Sequence, residues 1–253
     1  MIDILGLTPL QLLAFCAAVL LAAILRGFSG FGFALAAVPL ISLVIAPASA
    51  IAVAILVQAI VGVRDILVLR SVLDRPGLLR LSAGALIGTP IGLFGLLFLD
   101  AATIRLAIAA IVGLGVLFLL RKAHPESSPN LRLAAPTGVV AGLFSGLAAM
   151  PGPPVVAYYL SSATPAAVAR ASMMVFFFVT SLMSLPGLAL GGLLDMRVIV
   201  LALIATPIML SGNSLGHIAF KRAPSSAYKP IALIMLIAMA LSSGLRGLSE
   251  FLG

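Results

Sequence analysis

Two arginines stand out in this sequence because each lies in or beside a long apolar stretch. Arg26 opens the segment 26–32, RGFSGFG, and Arg170 directly precedes the apolar stretch 171–194. A charged side chain at the centre of a bilayer costs about 2.5–3.5 kcal/mol on insertion scales, so an arginine kept there is a candidate for binding an anion. The alternative for both residues is an arginine whose charge reaches the nearest aqueous interface.

The segment 26–32 also has the composition of a helix break. Three glycines within this segment, the last two being Gly30 and Gly32, interrupt a helix where the backbone turns or is approached closely. A second helix starting there would offer free N–H groups and the positive end of its dipole to an anion. The Ser29 hydroxyl and the N–H groups of the two glycines are the donors that we expect. The alternative is a tight turn that binds no ligand.

An equivalent break is predicted at residues 142–154, GLFSGLAAMPGPP. Its prolines cannot continue a helix, but the last two suit the first turn of a new one. Ser145, Gly146 and Gly152 are the candidate ligand contacts here, and a rigid corner without a ligand is the alternative. The sequence therefore predicts a binding site between two helix breaks.

Four other polar residues could bind a ligand or could have a purely structural role. Gln58 lies in an apolar run, where it could donate to a ligand or join neighbouring helices. We expect Arg64 and Asp65 to pair at the membrane interface without a role in transport, and His217 to lie at an interface as well. No carboxylate lies inside a long apolar run, which argues against a proton relay through a buried Asp or Glu.

Composition identifies the class of protein that these residues serve. Of 253 residues, 62% are hydrophobic and 9% are charged, whereas soluble domains have about 45–50% apolar and about 25% charged residues. Cys16 is the one cysteine, which excludes a disulfide scaffold and a thiolate metal site. The apolar runs are continuous rather than alternating, so they predict membrane-spanning helices and not barrel strands. The net charge of +8 is then explained by basic cytoplasmic loops, not by nucleic acid.

The chain consists of two related halves. Phe28-Ser29-Gly30 recurs 116 residues later at 144–146, and three further matches follow in the same order at offsets of 115 to 118 residues. We therefore predict an all-α polytopic membrane protein with two inverted-topology repeats, each a broken-helix hairpin followed by three transmembrane helices. The inversion is inferred from the basic loops 70–80 and 221–229, which occupy non-equivalent positions in the two halves. With these loops in the cytoplasm, both termini lie outside.

The apolar runs also give the expected boundaries. Residues 10–25 have no preceding basic region, so we do not expect them to be a cleaved signal peptide. Repeat one covers 1–122, with the hairpin 10–46 and helices 48–69, 81–99 and 105–121; a linker covers 123–131; repeat two covers 132–253, with the hairpin 133–163 and helices 165–194, 198–219 and 230–249. Inverted repeats with broken helices are typical of secondary transporters, whose binding sites lie near the midplane where the broken helices meet.

Two other functions share some of these features. Residues 27–30, GFSG, have the Gly-x-Ser-Gly form of rhomboid-type intramembrane serine proteases, with Ser29 as the nucleophile. Such an enzyme needs a histidine base beside the serine, and His217 is the membrane candidate. Phe-Ser-Gly occurs in both halves, which favours a structural role for the motif. An anion channel is the second alternative, and the lack of a Walker A motif excludes transport driven by ATP bound to this chain.

The glycine-rich break followed by Pro39 resembles the first-repeat signature of the TauE/SafE sulfite exporter family, also called toluene-sulfonate uptake permeases. The second half, from Gly142 through Pro154 to 169–172, is similar to the same signature. Many members carry a glycine run where this chain has 148–153, AAMPGP. The resemblance covers nearly the whole chain and implies transport of sulfite, sulfonates or related organic anions across the bacterial inner membrane.

The sequence thus predicts a secondary transporter for a small anion, with one repeat rocking against the other to give alternating access. It predicts no enzymatic activity, cofactor, metal site or nucleic-acid partner. The expected partners are the anion, the lipid bilayer and a possible second copy in a homodimer, and the coupling ion and the direction of transport are left open. The predicted substrate contacts are Arg26, Ser29, Gly30, Gly32, Gln58, Ser145, Gly146, Gly152 and Arg170.

Overall fold

The computed structural model describes residues 6–120 and 130–222, and within these ranges the regular structure is entirely helical. The helices are α1 (Pro9–Ser29), α2 (Phe33–Ile41), α3 (Pro47–Leu69), α4 (Arg75–Phe98), α5 (Ala101–Leu120), α6 (Leu131–Ala148), α7 (Gly152–Leu160), α8 (Ala166–Leu190) and α9 (Met196–Arg222). By length and composition, α1, α3, α4, α6, α8 and α9 can cross a membrane. The predicted all-α polytopic fold class is confirmed. The expected helix 230–249 and most of the linker 123–131 lie outside the described residues.

Helix α4 begins well before the apolar run that predicted it. α4 starts at Arg75 rather than at residue 81, because Asp74 caps it: the Asp74 carboxylate accepts a hydrogen bond from the Gly77 N–H at 3.1 Å. A carboxylate at this position satisfies one of the N–H groups that the first turn of a helix leaves unpaired. Residues 75–80 therefore belong to the helix although they lie outside the apolar run.

The first helix break lies at residues 30–32, between α1 and α2. Gly30 closes α1 in the left-handed conformation, with φ 81°, and its N–H donates to the Arg26 carbonyl at 2.7 Å. Gly32, with φ 94°, then precedes α2. Two residues with positive φ redirect the chain within three positions, which glycine permits because it has no Cβ.

The second helix break lies between α6 and α7 and uses a different residue for the same turn. Ala149 closes α6 with φ 60°, and its N–H donates to the Ser145 carbonyl at 2.8 Å. Alanine adopts this conformation at a cost that glycine does not have. Pro151 follows, and α7 begins at Gly152 with two prolines in its first turn, where their missing N–H groups do no harm.

The helices after the two breaks are too short to span a bilayer. α2 and α7 have 9 residues each, which corresponds to a length of about 13 Å at the rise of an α-helix. The hydrocarbon core is about 30 Å thick. Neither helix can therefore cross the bilayer alone, and the prediction that both belong to hairpins turning back within the membrane stays a prediction.

A face of glycines packs α4 directly against the backbone of α6. A Cβ on Gly88 would overlap the Val139 carbonyl oxygen and lie 2.8 Å from the Leu143 nitrogen. Gly92, one turn later, meets Leu143 and Leu147 in the same way, so α4 and α6 run parallel. Small residues on spanning helices allow this close approach, which supplies van der Waals contact that lipid does not.

The pair formed by α1 and α9 repeats this arrangement. A Cβ on Gly212 would lie 2.6 Å from the Ala23 Cβ, and one on Gly216 would lie 2.8 Å from the Phe28 nitrogen. Contacts advance along both helices together, so α1 and α9 are also parallel. In each close pair, the first helix of one half, α1 or α6, contacts the fourth helix of the other half, α9 or α4.

The directions of the helices bear on the predicted inversion. α8 runs alongside α4 in the same direction, because Gly187 meets Leu93 and Gly191 meets Leu97. If the connection 191–195 reverses the chain, α9 and its parallel partner α1 run opposite to α8, α4 and α6. The first helices of the two halves would then be antiparallel, as inverted repeats require, and the inversion stays a prediction with this support.

Candidate functional site

Arg26 lies in the last turn of α1 and is completely enclosed, with 1% of its surface exposed. Its Nη2 donates to the Asp65 carboxylate on α3, and Asp65 is itself buried. The expected pairing of Asp65 with Arg64 at an interface is therefore wrong. Adjacent residues of a helix point in different directions, so Arg64 is exposed while Asp65 faces α1. Burial of either charge alone would be strongly unfavourable, and the pair compensates for it.

A neutral side chain from α9 completes the surroundings of this guanidinium. With the Asn213 amide oriented to satisfy its neighbours, its oxygen accepts from Arg26 Nη1 at 2.8 Å and its nitrogen donates to the Ala23 carbonyl at 3.0 Å. The Arg26 Nε is buried and has no hydrogen-bond partner among the described residues. A guanidinium has five N–H donors, so Arg26 retains donors that these two partners do not use.

Arg170 reaches the same break from α8. It is half-buried, and its Nη2 donates to the Gly27 carbonyl at 2.5 Å. The stem of Arg170 crosses directly over Gly30, where a Cβ would overlap the Arg170 Cγ and lie 2.9 Å from its Cδ. Gly30 thus serves both the turn and the passage of this side chain. A cation here also faces the negative end of the α1 dipole.

His217 on α9 lies next to Arg170, with 3.4 Å between its Nδ1 and the Arg170 Nη1. A guanidinium can only donate, so this hydrogen bond requires a neutral imidazole with its proton on Nε2. His217 is exposed, as an interfacial residue would be, but its contact with Arg170 was not foreseen. The contact adds an imidazole to the two arginines and the Asn213 amide at the end of α1.

The donors expected from the first break are largely used within it. The Ser29 hydroxyl donates to the Leu25 carbonyl at 2.8 Å, and a second short contact joins it to the Phe31 carbonyl. The Gly30 N–H closes the last turn of α1, so its expected role as a free donor to an anion is wrong. Gly32 precedes α2 without a side-chain cap, which leaves the start of that helix as the remaining backbone donor group.

The second break lies against the first through apolar contacts. A Cβ on Gly152 would be 3.5 Å from Leu35 and 4.0 Å from Phe31, both buried residues of the first break and α2. Ser145, in the last turn of α6, is buried. Gly146 packs against α4, where a Cβ would lie 2.6 Å from the Leu93 nitrogen. Gly146 is therefore a packing residue of the α4–α6 interface.

Gln58 lies on α3 and is buried. It is seven residues before Asp65, which corresponds to two helical turns, so both occupy one face of α3. Two turns separate the residues by about 10 Å along the axis, so Gln58 does not contact the pair formed by Arg26 and Asp65, and its role in binding stays a prediction.

A comparison with protein families decides the class of this protein. A model of the family described as Sulfite exporter TauE/SafE matches residues 15–243. The chain belongs to the TauE/SafE family. Members of this family are membrane transporters, so the expectations of a transporter and of a non-enzyme are confirmed, and the serine protease alternative is wrong. Neither a curated protein nor a solved structure matches the chain.

In this TauE/SafE transporter a second polar cluster, unforeseen from the sequence, connects the two halves. The Asp74 N–H before α4 donates to the Ser172 hydroxyl on α8 at 2.9 Å. The Tyr159 hydroxyl on α7 donates to the Asp74 carboxylate at 3.4 Å. These residues are far apart in sequence, so the sequence alone does not bring them together. The one available signal is Asp74 itself, a typical N-cap residue directly before α4.

Proposed function

We propose that this transporter carries sulfite, or an organosulfonate or related organic acid, across the bacterial inner membrane by alternating access. The observation that supports this is the meeting of two arginines at one helix break. Arg26 belongs to the first half and Arg170 to the second, yet both lie at the end of α1. A site made by both halves is the arrangement that alternating access needs.

The chemistry of the arginines suits an oxyanion. A guanidinium presents N–H donors in a planar fork that can bind two oxygens of one anionic group. Sulfite and sulfonates offer three equivalent oxygens, so they can accept such a pair while keeping an oxygen for another donor. The start of α2, with its positive dipole end, is the third element that we assign to the site.

The close helix pairs suggest which parts move. Rocking one whole repeat against the other would separate α4 from α6 and α1 from α9, whose backbones touch at Gly88, Gly92, Gly212 and Gly216. We propose instead that the pair of α1 and α9 moves as one body and the pair of α4 and α6 as another. The anion then gains access alternately between these pairs.

The first test is a thermal-shift panel on protein purified in detergent. The panel contains sulfite, sulfate, taurine, sulfoacetate, an aryl sulfonate and acetate, with a cation as control. A ligand at about 100 times its dissociation constant stabilises the folded state by about 2.7 kcal/mol. We expect one sulfur oxyanion to stabilise the protein where acetate does not. Uptake of labelled sulfite that is accelerated by unlabelled sulfite inside the proteoliposomes then identifies a carrier, because a channel shows no such exchange.

The same panel tests Arg170. We expect Arg170→Ala to abolish the anion-dependent shift while the protein still expresses and remains monodisperse. The matched control is Arg64→Ala, which removes an exposed arginine of α3 and the same charge. An unchanged affinity in Arg170→Ala would remove Arg170 from the site. Absence of any shift in folded wild-type protein would count against the sulfur-oxyanion substrate.

A further inference from the structure

Asp65 occupies the guanidinium that the proposed function assigns to the anion. We propose that Asp65 is an internal counter-anion of Arg26, which holds the arginine while the site is empty and which the transported anion displaces. This proposal rests on the proposed function and specifies how that site is kept ready. It makes Asp65 a residue that sets the affinity for the anion without contacting it.

An empty transporter needs a substitute for the substrate charge at this position. The Arg26 side chain is 2% exposed and that of Asp65 is 11% exposed, so water screens the arginine hardly at all. A buried guanidinium without a partner is strongly destabilising, whereas one paired with a carboxylate is tolerated. Asn213, the other partner, is neutral and cannot supply the charge. The carboxylate of Asp65 therefore does in the empty state what a sulfite oxygen would do in the loaded state.

The guanidinium of Arg26 keeps a donor for an exchange of partners. Arg26 Nε is buried without a hydrogen-bond partner among the described residues, so the guanidinium is not saturated by Asp65 and Asn213. An approaching oxyanion can engage this donor before the bond to Asp65 breaks. The Asp65 side chain, 11% exposed against 2% for Arg26, is the less enclosed partner and therefore the one that can move away. Only hydrogen bonds are broken and formed, and the ion pair of Arg26 with Asp65 is replaced by an ion pair of Arg26 with the anion.

The helices that carry the partners also favour Asp65 as the bond that breaks. Arg26 is on α1 and Asn213 is on α9, and these helices are fixed to each other by the close contact of Gly27 with the Asn213 backbone, where a Cβ would lie 2.8 Å from the Asn213 Cα. Asp65 is on α3, outside that pair. A movement of the α1–α9 pair keeps the bond to Asn213 and stretches the bond to Asp65.

The test compares anion affinity in wild type, Asp65→Asn and Asp100→Asn. We expect Asp65→Asn to bind sulfite about tenfold more tightly than wild type, because the anion no longer competes with a charge-assisted hydrogen bond. Asp100→Asn removes an equal charge from an exposed N-cap, where asparagine serves equally well, and should leave the affinity unchanged. The double variant with Arg26→Gln and Asp65→Asn should lose the gain.

The outcomes separate this proposal from the proposed function. If wild type binds sulfite and folded Asp65→Asn binds it equally or more weakly, the counter-anion role is overturned while the transport proposal stands. If neither protein responds to any anion of the panel, both fail. If Asp65→Asn does not fold, an infrared difference spectrum of wild type labelled with ¹³C-aspartate replaces it. Sulfite should then shift an aspartate carboxylate band, and a spectrum without such a shift overturns the proposal.

Discussion

At the scale of single residues, the arginines of the site were predictable from the sequence, but the acidic partner of Arg26 was not. Arg26 and Arg170 could be singled out because an arginine in an apolar stretch is unusual whatever surrounds it. The partner of Arg26 could not be identified, because Asp65 lies on another helix and has Arg64 beside it in sequence. The apolar runs, which contain no carboxylate, gave no sign of the buried Asp65 for the same reason. Burial of Asp65 depends on how α3 packs against the neighbouring helices α2, α8 and α9, and hydropathy along the sequence does not give that packing.

Gly30 gives the sharpest prediction for a single residue. We expect Gly30→Ala to destabilise the protein by about 1–3 kcal/mol, because a Cβ is strained at φ 81° and overlaps the Arg170 side chain. The variant should also weaken the anion-dependent shift, since Arg170 has to leave its place over the break. Thermal unfolding with and without sulfite measures both effects.

The matched control for Gly30 is Gly113→Ala in α5. A Cβ at Gly113 has no atom within 4 Å, and alanine is the better helix former. Gly113→Ala should therefore unfold at the same temperature as wild type or slightly higher. A Gly30→Ala protein as stable as this control would show that neither the turn nor the passage of Arg170 depends on glycine.

At the scale of helices, composition was a good guide because a spanning helix must satisfy its own backbone hydrogen bonds in lipid. The apolar runs and the glycine and proline clusters indicated α1 to α9, including the short α2 and α7. They did not indicate which helices lie side by side. The α4–α6 and α1–α9 pairs depend on glycines that recur along one helix face, and glycine is too common in this chain for that pattern to identify its partner.

The α4–α6 interface leads to a prediction about Gly88. We expect Gly88→Ala to push the two helices apart and to destabilise the protein by about 1–3 kcal/mol or more, the usual cost of overpacking. Gly95→Ala, two turns later on α4, meets only the ends of two leucine side chains, Leu147 at 3.2 Å and Leu99 at 3.7 Å, and should be tolerated. Size-exclusion profiles and unfolding temperatures in detergent compare the two. Equal behaviour would mean that the close contact at Gly88 is not needed for stability.

At the scale of the whole molecule, the two halves exchange helices rather than stand side by side. The internal duplication was visible in the sequence because motifs recur in order at a nearly constant offset. The exchange of helices was not visible in the sequence, because a sequence repeat does not show whether its first helix packs within its own half. The inverted orientation is the expectation that remains, and it rests on the basic loops and on the parallel pairs.

Labelling of single cysteines in intact cells tests the inversion. In a Cys16→Ala background, Val72→Cys and Met196→Cys place thiols at equivalent connections of the two halves, after α3 and after α8; both positions are exposed, at 42% and 65%. If the repeats are inverted, a membrane-impermeant maleimide reacts with Met196→Cys and not with Val72→Cys until the cells are opened. Labelling of both from the same side would mean that the repeats are parallel.

The pairing of α1 with α9 also has a consequence for biosynthesis. Membrane helices are inserted in the order of translation, so α1 enters the bilayer long before its parallel partner exists. Until then the enclosed Arg26 and the bare backbone at Gly27 lack the Asn213 side chain and the α9 surface that cover them. The ribosome must therefore finish most of the second half before the first helix can reach its final place. During that interval the nascent chain has an arginine in the membrane, and Asp65, which is synthesised soon after Arg26, can already pair with it.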